Sequence, residues 1–353
     1  MSEEGAARRV PIERLRAFIE SALGAVGMPE GDARTVAALM AEADALGAEG
    51  HGIFRLPQYV RRIRAGGLNL RPNIRIERER AGMALLDGDN AMGHLVMHRA
   101  AELAVEKARA AGVAWVGAHH SNHAGPASLY ARIPLRHDMI GLYVAVGNAN
   151  HLPPWGGTEL LLSTNPIAIA VPARARPPLV LDMATTVAAY GKVKTKAQRG
   201  ETMPEGWMID REGRPLTDPR RADEGFLLPI GGYKGYGLGL MFGILAGILN
   251  GAAFGRDTID FNADDVTPTN TGQFVVAIDI GAFGDRAAFK AKIDEVWDTM
   301  KSSPLLPGFD EIRLPGERTH RIEQENRAKG APIHPALDAA LAKLATDLGI
   351  EPL

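Results

Sequence analysis

The chain has 353 residues, 46% of them hydrophobic and 23% charged, with a formal net charge of -2 and no cysteine. Balanced charge without a basic block argues against nucleic acid or another polyanion as partner, and the missing cysteine removes disulfides, thiolate metal sites and cysteine nucleophiles together. The run from Met1 to Arg9 lacks the apolar core of a signal peptide, so a cytoplasmic enzyme is expected, and 40 glycines with 23 prolines imply many tight turns.

Apolar residues three and four apart predict helices over 12–26 and 33–46. A third helix follows over 54–65, with Pro57 in its first turn and Gly66-Gly67 ending it. After a fourth helix over 95–111 the pattern changes to short apolar runs of strand length, at 113–118, 140–146, 167–171, 179–181 and 274–280. Helical stretches return at 287–300 and 335–348. An α/β (α+β) chain follows, with residues 1–72 and 310–353 forming a helical layer beside a central sheet domain over 73–309.

Glycine stands at every fourth position from Gly231 to Gly255. Each glycine costs a helix interior about 0.5 to 1 kcal/mol against alanine, so close backbone approach must offset the ladder. Its later members are expected to form a groove for another helix or a subunit. The opening Gly231-Gly232-Tyr233-Lys234-Gly235-Tyr236-Gly237 presents free N–H groups and an ammonium suited to a phosphate. A membrane span over 235–255 is the rival reading; weak hydrophobicity and the lack of a second span or aromatic belt count against it. No Rossmann fingerprint or P-loop is present.

His51 lies between Gly50 and Gly52 at a helix start, four positions before Arg55. A helix N-terminus lowers the imidazole pKa and keeps it ready to exchange protons, and a guanidinium clamps a carboxylate through two hydrogen bonds. A capping histidine and a surface ion pair fit that fragment equally well. The run His119-His120-Ser121-Asn122-His123 follows a strand directly. His119 and His123 have helical i, i+4 spacing, but no H-E-x-x-H glutamate or other carboxylate ligand is evident nearby, so no metal is expected. Phosphate or cofactor contacts suit a strand-to-helix junction better, with capping by Ser121 or Asn122 as the bland alternative. Polar residues also stand at strand ends around Thr164, Asp182 and Lys192, where ordinary turns and caps are equally common.

In combination these motifs resemble the malate/L-lactate dehydrogenase-type oxidoreductase family nearly end to end. The carriers are His51-Gly52-x-x-Arg55, Ser121-Asn122-His123, Pro154-Trp155-Gly156-Gly157, Thr164-Asn165-Pro166, Asp182-Met183-Ala184-Thr185, Gly206-Trp207, the Gly231 to Gly237 turn and Arg313-Leu314-Pro315-Gly316-Glu317. The resemblance implies a non-Rossmann nicotinamide-binding fold with a mostly antiparallel sheet, NAD or NADP as cofactor, a small carboxylate substrate and a homodimer with no membrane partner. It makes His51 the proton donor, with His123 a proton acceptor or cofactor contact and Lys192 a further catalytic residue. Arg55 and Thr164 become substrate ligands. Ser121, Asp182, Met183, Ala184, Lys234, Gly235, Tyr236, Arg313, Pro315, Gly316 and Glu317 become cofactor contacts. Gly50 departs from the family's serine, and Ala124 replaces a common phenylalanine. The expected reaction is hydride transfer between nicotinamide and a 2-oxo or 2-hydroxy acid. Cyclic imino-acid reduction, ureidoglycolate oxidation and an inactive nucleotide-binding homologue are the alternatives.

Overall fold

The computed structural model describes residues 7–353; residues 1–6, part of the stretch read for a signal peptide, lie outside the described residues. Strand β1 (Arg8–Val10) leads into α1 (Ile12–Ala25) and α2 (Glu30–Ala45), whose buried residues recur at helical spacing. A 3-10 turn at Ile53–Arg55 opens α3 (Leu56–Arg64), with Pro57 in the first turn where its missing N–H costs little. Next come β2 (Arg75–Arg80) and β3 (Met83–Asp87). Every residue of β2, Arg-Ile-Glu-Arg-Glu-Arg, is exposed, so hydrophobic patterning had no signal for it. Charge suits an edge strand because it discourages pairing with another chain.

The long α4 (Gly93–Ala111) crosses to β4 (Val113–Ser121), burying Val96, Met97, Ala100, Ala101, Ala104, Val105 and Ala108. Alanine on that face lets the helix lie close to the sheet. A short α5 (Ser128–Ala131) precedes β5 (Met139–Ala145), a small hairpin of β6 (Asn150–Leu152) and β7 (Leu162–Ser163), then β8 (Ile167–Val171) and β9 (Leu179–Met183). Helix α6 (Tyr190–Arg199) and the pair β10 (Met208–Asp210) and β11 (Gly225–Leu227) pack with that hairpin around Leu152, Val193, Met208 and Leu227.

Helix α7 (Tyr233–Ala246) carries Gly235, Gly239 and Gly243 of the ladder, β12 (Thr271–Asp279) enters the sheet, and α8 (Arg286–Lys301), α9 (Glu317–Lys329), β13 (Ala331–Ile333) and α10 (Pro335–Leu348) complete the chain. The seven-stranded sheet runs β2-β3-β4-β12-β5-β8-β9, antiparallel at every step except β3 with β4. β1 pairs with β13, and Leu15, Phe18, Ile19, Ala33, Val36, Met40 and Leu56 share a core with Leu341, Leu344 and Ala345. The two chain ends are thereby packed as one layer. Among the described residues no helix is long and apolar enough to cross a membrane, and α7 stops at Ala246.

Candidate active site

Three buried interactions shape the loop that presents His51. Asp44, at the end of α2, accepts the Ile53 N–H at 2.8 Å, capping the 3-10 turn just after the histidine. A Cβ on Gly52 would overlap that same carboxylate, so only glycine passes there. From α9, the Asn326 amide donates to the carbonyls of Asp44 and Ala45 at 3.1 and 3.3 Å, tying the C-terminal segment to the loop. Burial pushes the Asp44 carboxyl up to about 7.

The His51 ring lies parallel to His123, centroids 5.4 Å apart, and His123 stacks in turn on Phe261 at 4.9 Å. Tyr59 bonds His123 Nδ1 at 2.6 Å, and the Gly125 N–H donates to the same atom at 3.3 Å. Because a backbone N–H can only donate, Nδ1 is an acceptor and the neutral ring carries its proton on Nε2. Tyr59 also meets His94 edge-on, centroids 5.7 Å apart. His94 is fully buried and neither ring nitrogen has a partner; His51 Nδ1 is likewise buried and unpartnered. Burial lowers the pKa of all three histidines, that of His51 to about 3 with the Arg55 charge as second cause and that of His94 to about 3 with His51 as second cause. Near neutral pH all three are uncharged imidazoles.

Arg55 is 8% exposed. Its Nε donates to the Gly50 carbonyl at 2.9 Å, and its Nη1 to Gln58 at 2.8 Å and Asn262 at 3.3 Å. All three acceptors are neutral, and no carboxylate pairs with this guanidinium among the described residues. The 261–267 loop is fastened to α3 by Gln58, which donates to the Phe261 carbonyl at 2.7 Å, and by the fully buried Arg62, which donates to the carbonyls of Asp264 and Thr267.

A second cation enters from α6: Lys194 donates to the Asn262 side-chain oxygen Oδ1 that Arg55 also uses, at 2.9 Å. Lys192, the lysine expected from sequence to be catalytic, does not join this contact. Residues two apart on a helix point to nearly opposite sides, and Lys192 is the exposed one. Beside Lys194, Tyr190 stacks on His151 at 3.9 Å.

The remaining candidates lie around β9 and the head of α7. Thr164 accepts the Thr185 N–H and hydroxyl through its own carbonyl, both at 2.9 Å. Asp182, at the end of β9, accepts the Ser128 N–H at 3.0 Å, and the surrounding protein raises its pKa although solvent reaches it. Met183 and Ala184 follow, half-buried. The Val180 N–H donates to the Pro315 carbonyl at 3.0 Å, and left-handed Gly316 is packed on Val180, so the Arg313 to Glu317 segment lies along β9.

Three expected cofactor side chains have partners within the protein. The Ser121 hydroxyl is fully buried and donates to Gln273 at 2.7 Å, and the Glu317 carboxylate is held by Lys301, Arg321 and the Leu314 N–H. Arg313 pairs with Glu311. At the head of α7, Lys234 is exposed and Tyr236 half-buried. A Cβ on Gly235 would overlap the Ile230 carbonyl, while Gly239 and Gly243 face Thr185, Asn165 and Phe254. The glycines therefore admit loops of the same chain, and the expected groove for a helix does not form within it.

Sequence reasoning missed Tyr59, His94, His151, Lys194, Phe261 and Asn262. Tyr59 had a signal, since it stands four residues after Arg55 on one helix face. Phe261 and Asn262 had none, because they arrive from a loop some 200 residues away.

Residues 10–342 match the malate/L-lactate dehydrogenase family. The chain is 40% identical to malate dehydrogenase of Pyrococcus horikoshii over 98% of its own length and 97% of that protein's. It is 38% identical to L-sulfolactate dehydrogenase of Methanothermobacter thermautotrophicus, over 97% and 98%. The solved structure of malate dehydrogenase from Pyrococcus horikoshii OT3 superposes with a TM-score of 0.90 at 37% identity, covering 100% of this chain and 98% of that one. With sequence and fold agreeing over almost every residue, the chain belongs to the malate/L-lactate dehydrogenase family and is a nicotinamide-dependent dehydrogenase.

Proposed function

We propose that the enzyme transfers a hydride between C4 of nicotinamide and C2 of a small 2-oxo or 2-hydroxy acid that carries a second acidic group, as malate and sulfolactate do. The Arg55 guanidinium carries this reading, being buried against neutral acceptors only. A buried cation is stabilised by an anion, and a planar fork suits a carboxylate. Lys194 shares Asn262 with Arg55, which puts a second positive charge beside the first and favours a dianion over lactate.

His51 takes the hydroxyl proton in oxidation and returns it in reduction. Its neutral form is a ready acceptor, held so by burial and then by the Arg55 charge. A substrate carboxylate on Arg55 cancels that second cause, so binding itself raises the basicity of the histidine. His123, with Nδ1 accepting from Tyr59 and Gly125, keeps its Nε2–H as a donor beside His51.

The residues fit a nicotinamide dinucleotide: the Asp182 carboxyl is open to solvent at the end of β9, and left-handed Gly316 keeps the 313–317 segment tight against that strand. Asp182, Met183, Ala184, Pro315 and Gly316 would hold it, with His123, Lys234, Gly235 and Tyr236. NAD or NADP, when bound, supplies or takes the hydride. The exposed apolar side chains Tyr233, Met241, Ile248 and Leu249 along α7 and its exit support a homodimer formed on this face.

The test is loss of reduced nicotinamide absorbance, with NADH and NADPH, against oxaloacetate, 3-sulfopyruvate, pyruvate and pyrroline-2-carboxylate. The expected order places the two dianions well above pyruvate, with that preference lost in Lys194→Ala. His51→Ala is expected to lower kcat by roughly a hundredfold or more, and Arg55→Ala to raise KM for the acid. Near-normal turnover by His51→Ala, or an unchanged KM in Arg55→Ala, overturns the assigned roles.

A further inference from the structure

His119 and His120 do not join His123 at the stacked rings; they stop at a corner of the sheet where three strands end together. Asp87, the last residue of β3, pairs in parallel register with His119 on β4. On β2 the register slips between Ile76 and Arg78, leaving Glu77 as the extra residue of a bulge, and a bulge re-aims the side chain it carries. Successive strand residues normally face opposite sides of the sheet. His120, however, has a left-handed backbone with φ of 46°, secured by its N–H donating to Asn270 at 2.7 Å. Both imidazoles consequently lie on one side, stacked with centroids 4.3 Å apart.

Two backbone irregularities thus converge four side chains. His119 Nε2 lies 2.7 Å from Glu77, and His120 Nδ1 lies 3.0 Å from Asp87. One ligand atom each from Asp87, His119 and His120 lies within 4.8 Å of the others. A tetrahedral zinc shell, with bonds of about 2.1 Å, needs its donors roughly 3.4 Å apart. The exposed His120 and Glu77 side chains can make that adjustment. Behind them Asp87 is steadied by Arg75 on one oxygen and by the Asp89 N–H on the other at 2.9 Å, the outer support that metal-bound carboxylates commonly have.

We propose that Glu77, Asp87, His119 and His120 form a binding site for a divalent transition-metal ion of the zinc type. Two imidazoles and two carboxylates are donors of the right hardness for such an ion. Its role is structural: it clamps β2, β3 and β4 where β4 enters the 121–125 loop that carries His123. The expectation of no metal rested on the lack of a nearby carboxylate, and the fold supplies two.

Tag-free full-length enzyme, freed of metal, is titrated with cobalt(II) while its visible ligand-field bands are followed, and thermal unfolding is repeated with and without zinc chloride. One equivalent of cobalt with tetrahedral bands and a zinc-dependent rise in Tm are expected. His120→Ala and Glu77→Gln, both at exposed positions, should weaken cobalt binding roughly tenfold or more and remove the Tm rise. Failure of the folded wild-type protein to bind cobalt at micromolar concentration overturns the site, as does binding that these substitutions leave unchanged, which would place the ion elsewhere.

Discussion

His51 carries a buried ring nitrogen, Nδ1, that no hydrogen bond satisfies. The residue before it is Gly50, where the family resemblance implies serine. A Cβ at Gly50 would meet nothing within 4 Å, so a serine fits. Gly50→Ser is expected to bond the orphan nitrogen and raise kcat about fivefold, the worth of one net hydrogen bond of about 1 kcal/mol. A folded Gly50→Ser enzyme with lower kcat would show that the orphan atom limits nothing. The depressed histidines also predict acid sensitivity. Between about 3 and the ordinary 6.5, His51 and His94 stay neutral when folded but take up protons when unfolded, so their contribution is complete above pH 6.5 and falls below it. At pH 5 each loses about 2 kcal/mol relative to neutral pH. His123 and His151 act in the same direction. Asp44, with its carboxyl raised to about 7, acts oppositely and offsets about as much as one histidine. Urea midpoints at pH 7.5 and pH 5 should therefore drop on acidification; a flat profile would contradict the burial of these rings.

Within a single element, the glycines of α7 are not equivalent. Gly235 faces the Ile230 carbonyl so closely that alanine forces the preceding turn to move, whereas a Cβ on Gly237 meets nothing within 4 Å. Overpacking costs about 1 to 3 kcal/mol, while removing an unneeded helical glycine returns about 0.5 to 1 kcal/mol. Gly235→Ala should lower the denaturant midpoint and Gly237→Ala should raise it. Equal shifts of one sign would mean that helix propensity alone governs the ladder. Helix α6 makes a similar point, since Lys192 and Lys194 are chemically alike in sequence and only the helical turn between them decides which reaches Asn262.

For the whole molecule, the α7 face matters most. Tyr233, Met241, Ile248 and Leu249 leave an apolar surface in water on a single chain, and covering it favours self-association. Met241→Asp places a charge in that surface and should turn the proposed dimer into a monomer in sedimentation at micromolar concentration. An unchanged sedimentation coefficient would move the proposed interface elsewhere. The two chain ends, meanwhile, meet through β1 and β13 and through Asn326 on the Asp44 carbonyl, so the loop bearing His51 depends on residues near the C-terminus.

The sequence by itself determined the elements with a clean period: α1, α2, α4, α8 and α10, and the strands β4, β5, β8, β9 and β12. Burial of one face leaves a local pattern that survives any tertiary arrangement. It also carried the family, because motifs such as His51-Gly52-x-x-Arg55 are short and contiguous. β2 escaped for the reverse reason, as an exposed charged edge has no hydrophobic pattern to read. What only the tertiary structure decided is which distant groups share one space. Asn262 between Arg55 and Lys194, Tyr59 on His123 and edge-on to His94, and the carboxylates beside His119 and His120 are pairings across tens to hundreds of residues. Side-chain contacts at that separation leave no periodic trace, because they are set by how helices and strands pack and by backbone departures such as the bulge at Glu77 and the left-handed His120.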